Sequence, residues 1–124
     1  MALIARGEHM AGDTRPPQGS FTGPARQRTF HIQETPHPVR VSFVRFDPGA
    51  LTHWHSHSGG QVLHVVEGEG RHCIEGGDVE TVRVGDTATV EPGRRHWHGA
   101  GPADAMAHLA VSIGDVTWEG PPDP

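Results

Sequence analysis

The sequence predicts an all-β, single-domain sandwich or barrel. Three observations predict it. Apolar and polar residues alternate in short stretches, each closed by Gly, Pro or Asp. About eight such stretches follow at close intervals, the spacing of antiparallel strands joined by tight turns. No window carries a sustained 3.6-residue apolar period, so no long amphipathic helix competes.

The elements can be justified in order. "VRVSFVRF" (Val39–Phe46) alternates and stops at "DPG". "QVLHVV" (Gln61–Val66) ends in "EGEG", a turn signal. If Gln61 points inward, Leu63 and Val65 do too, and Val62, His64 and Val66 point away. "RHCIE" (Arg71–Glu75) runs into "GGD", a hairpin signal. "VETVRV" (Val79–Val84) and "TATV" (Thr87–Val90) are closed by "GD" and "EPG". "AHLAVSI" (Ala107–Ile113) ends in "GD", and "VTW" follows. There is no internal repeat.

Composition sets the limits. A chain of 124 residues suffices for one domain with a modest core. The polar, Gly-, Pro- and Arg-rich stretch 1–28 is expected to be a flexible N-terminal segment. Within it, "ARGEHM" is a candidate vector-derived remnant, with the native chain starting near Met10. Residues 29–118 form the expected folded domain, and 119–124, "EGPPDP", a C-terminal tail. Net charge is −5 with His neutral, and the basic residues are scattered, which argues against nucleic acid as a partner. The single cysteine, Cys73, excludes an internal disulfide. No apolar run reaches the roughly 20 residues of a membrane span, and no secretory signal is visible. A cytoplasmic location is expected, with no membrane partner.

Eleven histidines are many for this length, and they are patterned. Neutral imidazole is the commonest protein ligand for transition metals. On an extended strand residues i and i+2 face the same side, so an H-x-H pair offers two imidazoles to one ion. "LTHWHSHSGGQ" holds three alternating histidines, His53, His55 and His57, and "RRHWHGAG" holds His96 and His98. His108 lies in "AMAHLAVS" on the face of Met106, Ala110 and Ser112. Two H-x-H units and an isolated His in one small barrel predict a metal centre. His31, His37, His64 and His72 are read as surface or satisfied residues.

At these residues the sequence resembles the cupin superfamily. Gly49, five residues, His55-Ser56-His57, three residues, Gln61, six residues and Gly68 match the first cupin motif, G(x)5HxH(x)3,4E(x)6G, with Gln in place of Glu. In "GDTATVEPGRRHWHGA", Gly85, Gly93 and His96 fall at the separations of the second motif; Pro92 is displaced by one and Ala100 stands where Asn is usual. The resemblance implies a jelly-roll barrel of about 8–10 short antiparallel strands. It also implies His55, His57, Gln61 and His96 as metal ligands, leaving His53 at the mouth of the pocket or on the surface. "WHSHSGGQ", "PGRRHWHGA", "AMAHLAV" and "FTG" (Phe21–Gly23) look like the small manganese-dependent bacterial hydroxynitrile lyases of this fold and their uncharacterised relatives. That likeness implies one divalent ion, manganese first among Mn, Fe, Zn, Ni, Co and Cu.

Gln is a neutral oxygen donor and cannot act as a base. Proton transfer is therefore expected from His108, with His98 as the other candidate. The expected chemistry is Lewis-acid cleavage or formation of a C–C bond next to a substrate oxygen. Leu63, Val65, Trp97, Met106 and Ala110, with His53, are the expected pocket lining for a small, partly apolar substrate. An iron or copper dioxygenase, an isomerase or cyclase, and a non-catalytic ligand- or metal-binding cupin are the alternatives. A homodimer or higher homo-oligomer is expected, with Val62 and Val66 facing outward.

Overall fold

The computed structural model describes residues 4–9 and 12–124. Met10, the expected native start, lies outside the described residues. The helical content of the described residues is one 3-10 turn, Gly7–His9. Among the described residues, no helix is long and apolar enough to cross a membrane. Eleven strands make up the rest: β1 (Phe21–Thr22), β2 (Ala25–Gln33), β3 (Val39–Phe46), β4 (Leu51–Thr52), β5 (His55–His57), β6 (Gln61–Ile74), β7 (Glu80–Arg83), β8 (Thr87–Val90), β9 (His96–Ala100), β10 (Met106–Ile113) and β11 (Val116–Trp118). The number exceeds the expected 8–10 because β4 and β5 are separate fragments of two and three residues. Paired strands also start at Phe21, ahead of the expected boundary at Thr29, and Thr14 bridges Gln27.

All pairings are antiparallel, in a nearly closed barrel whose main order is β1-β4-β9-β6-β10-β3-β2. β6 is its hub. Its first half pairs with β8 and β10, and its second half with β7 and β9. The sequence divides this strand at "EGEG", but the chain runs straight through. Gly68 takes φ +71°, and the β6–β10 register skips Val66, two residues before it. The turn signal is therefore a bulge, which inserts a residue and bends the strand without ending it. Neither glycine there can carry a side chain. A Cβ on Gly68 would collide with the Ala105 carbonyl oxygen, and one on Gly70 with the Gly99 carbonyl oxygen.

The bulge has a consequence for the interior. Before it, Gln61, Leu63 and Val65 are buried and His64 is exposed, as alternation requires. One inserted residue flips every later side chain to the other face. After it, Gly70 and His72 join Cys73 among the buried positions. His72 lies directly opposite His98 in the β6–β9 ladder.

Two apolar clusters hold the barrel. The larger packs Val44, Phe46, Val65, Ala100 and Met106, with Phe21 and Val82 against it. Burial of a side chain such as Phe46 or Met106 contributes about 1.5–3 kcal/mol. The second joins Leu51, Cys73 and Trp97, with Trp54 alongside. Trp97 sits between His96 and His98 on β9, so alternation turns it away from them into this second cluster.

Candidate metal centre and active site

Four strands deliver the histidines. β5 carries His55 and His57, β9 carries His96 and His98, β6 carries Gln61 and His72, and β10 carries His108. All seven side chains are buried. One donor nitrogen from each of His55, His96 and His98 lies within 4.8 Å of the others. His57 stands beside this triad, its ring 5.1 Å from that of His55 and 6.0 Å from that of His96. His98, expected as an acid-base residue, thus has one nitrogen in the compact group, while the expected ligand His57 lies just outside it.

The hydrogen bonds determine which nitrogens are free. His55 Nδ1 is 2.8 Å from the His53 carbonyl oxygen, and His96 Nδ1 is 3.2 Å from that of Arg94. A carbonyl oxygen only accepts, so the His55 ring carries its proton on Nδ1 and leaves a lone pair on Nε2. His96 Nε2 is 2.8 Å from Gln61 Oε1. With the ring proton on Nε2 this is a hydrogen bond; with it on Nδ1 both atoms turn lone pairs to one point, where a cation would sit.

Burial also keeps the rings neutral. Desolvation is the main cause in each case. It holds His55 and His57 down to about 4 and His96 down to about 3, with neighbouring histidines adding repulsion. His108 is held down to about 4 and His98 well below its ordinary value, again chiefly by burial. His57 Nε2 and His98 Nε2 are buried with no hydrogen-bond partner. Neutral imidazoles with unused lone pairs, joined by an amide oxygen, fit a divalent transition-metal ion. His55, His57, Gln61, His96 and His98 are the residues that could hold it.

His108 reaches the centre through His98. Its Nε2 is 3.1 Å from His98 Nδ1. Only one of these facing nitrogens can carry the shared proton, so the pair can pass it between them. The His98 backbone N–H donates to Thr52 Oγ1 at 3.1 Å, which ties β9 to β4. Phe46 packs against both rings, with centroids 5.9 Å from His98 and 5.3 Å from His108.

A cavity of about 350 Å³ opens onto this cluster, within the usual size range for small-molecule sites. His55, His57, Gln61, His98 and His108 face it, with Ala110, Ser42, Ser112, Phe21 and Trp118. The expected lining is only partly there. Leu63, Val65 and Met106 instead border a separate space of about 10 Å³, shared with His72, His98 and His108. Trp97 lies in the second apolar cluster, on the other side of β9. The His53 side chain hydrogen-bonds Thr22 Oγ1 at 3.1 Å, away from the cavity wall, and its carbonyl orients His55.

Several residues near the site escaped the sequence. His72 is buried, with Nε2 unpartnered and its ring 5.7 Å from that of His96. Its signal was the glycine pair at 68 and 70, which marks the bulge that turns it inward. Trp118 on β11 tilts over His55 at 4.6 Å, because β11 pairs with β5 in the register Trp118↔His55. Phe21 stacks on Phe46 at 5.3 Å and lies 6.2 Å from Trp118. No local pattern announces these long-range contacts.

A β-barrel with a buried histidine cluster at one cavity defines the class: residues 42–113 match the cupin domain, and the chain belongs to this family. Among its relatives, the (R)-mandelonitrile lyase of Granulicella tundricola is 44% identical over 95 residues, covering 77% of this chain and 72% of that one. A cupin-like protein of Thermotoga maritima superposes with a TM-score of 0.81 at 31% identity, covering 98% of this chain and 90% of the other. A polyketide cyclase of Streptomyces resistomycificus superposes with a TM-score of 0.75 at 17% identity, over 95% and 85% of the two chains. That last likeness concerns the fold alone.

Proposed function

We propose that this protein is a metal-dependent lyase that cleaves and forms cyanohydrins, interconverting a 2-hydroxynitrile with an aldehyde and hydrogen cyanide. The observation that carries it is the His98–His108 pair, 3.1 Å apart, set against a neutral donor cluster at the end of one cavity. The 44% identity to a mandelonitrile lyase supports the same reading.

His55, His57, Gln61 and His96 would hold the ion, with His98 beside them. A divalent ion held only by neutral donors keeps its full charge to polarise a substrate oxygen. Manganese is the first choice from the motif resemblance. The affinity order of first-row metals means that protein as purified carries whatever ion was abundant.

The chain's own residues do the rest. His108 takes the proton of the substrate hydroxyl, and His98 shares it through the facing nitrogens. The C–CN bond breaks, its electron pair leaves on cyanide, and the oxygen's electrons form the carbonyl. Cyanide then collects the proton from the histidine pair and departs as HCN. In synthesis the same groups work in reverse. Phe21, Trp118 and Val44 offer apolar surface for the substrate's side chain, and Ser42 and Ser112 add hydroxyls to the same cavity.

The test is benzaldehyde release from mandelonitrile by protein stripped of metal and reloaded with Mn2+. Turnover is expected in the reloaded protein, and His108→Ala is expected to lower it by about 100-fold or more while metal content is unchanged. Turnover equal to that of the parent in His108→Ala would refute the mechanism. The working form is taken to be a cytoplasmic homodimer acting on a small molecule, which size-exclusion chromatography with light scattering tests for oligomeric state.

A further inference from the structure

We infer that Ser112 is a positioning residue for Gln61, the hydroxyl that takes the amide N–H and so turns the amide oxygen toward the histidines. This rests on the metal-binding reading above. A glutamine amide has two unlike ends: the oxygen carries lone pairs and the NH2 group only donates. Half a turn about its last bond would swap them and put a non-ligating group at the centre. Gln61 is 5% exposed, so its amide depends chiefly on protein groups for partners.

The structure supplies a partner for each end. Gln61 Nε2 donates to Ser112 Oγ at 2.9 Å, and Gln61 Oε1 lies 2.8 Å from His96 Nε2. Ser112 stands directly opposite Gln61 in the β10–β6 ladder. Its place is thus set by backbone pairing, and a short side chain adds little freedom. β10 carries His108 and Ser112 four residues apart on one face, so a single strand positions both the proton carrier and the partner of the ligand. A carboxylate at position 61 would need no such partner, because its two oxygens are alike and neither bears a proton. The requirement for Ser112 comes from the Gln in this chain's version of the cupin motif.

Ser112→Thr and Ser112→Val separate hydroxyl from shape, since these side chains are nearly isosteric and both suit a strand. Mn2+ affinity is measured by competition with a chelating dye, without substrate. Far-UV circular dichroism of the metal-free proteins checks the fold, and Ser112→Ala replaces the Val variant if that one does not fold. The Thr variant is expected to bind within about threefold of the parent, and the Val variant about 10–100-fold more weakly. In a Gln61→Glu background the Thr–Val gap is expected to shrink below about threefold. Equal affinity of the Thr and Val variants with Gln61 present would overturn the role of Ser112, as would an undiminished gap in the Gln61→Glu background. A parent protein that binds no Mn2+ would overturn the metal reading itself.

Discussion

Acidifying the metal-free protein is expected to unfold it between pH 6.5 and 4. His108 illustrates the magnitude. In the unfolded chain it titrates at its ordinary 6.5, and in the folded protein burial holds it down to about 4. The native state therefore resists a proton that the unfolded state accepts. The stability this group contributes is fully present above pH 6.5 and is lost as the pH falls toward 4. The loss is about 3 kcal/mol for a shift of this size. His55 and His57 have the same shift, and His96 a larger one. A small domain has only about 5–15 kcal/mol of net stability, so a few such groups exhaust it. Tryptophan fluorescence and near-UV circular dichroism, which report Trp54, Trp97 and the Trp118 ring over His55, would follow the transition. Ligand nitrogens must release an ion before they accept protons, so Mn2+ is expected to move the midpoint to lower pH. An unchanged melting temperature of metal-free protein between pH 7 and pH 4.5 would refute the reasoning.

The other predictions concern particular side chains. Gly68→Ala strains a backbone at φ +71° and meets the Ala105 carbonyl, so a loss of about 2–3 kcal/mol is expected in urea unfolding. Phe46→Ala empties the centre of the larger cluster and is expected to cost about 3–5 kcal/mol by the same measurement, with activity falling as His98 and His108 lose their packing. Trp118→Ala removes the ring over His55 and a cavity wall; KM for mandelonitrile is expected to rise by more than kcat falls, which steady-state kinetics would check. Chelator removal of the metal is expected to lower the melting temperature, by an amount equivalent to about 3 kcal/mol when the ion was present at 100 times its Kd.

Local pattern determined much of this protein. Alternation with period 2 set the strands and the inward face of Gln61, Leu63 and Val65. H-x-H spacing marked His53, His55, His57, His96 and His98, because neighbours two apart on a strand must share a side, and the motif resemblance singled out His55 and His57 among the first three. These features depend on residues close together in the chain. Tertiary structure alone decided the rest. "EGEG" looks the same locally whether it ends a strand or bulges it, and only the pairing of β6 with both β9 and β10 makes it a bulge. That choice turns His72 toward His96 and His98. The partners of the candidate ligands also come from far away in sequence: Ser112 across a ladder from Gln61, and Trp118 on a last strand laid beside β5. Their positions follow from register between distant strands, which no spacing within a single strand encodes.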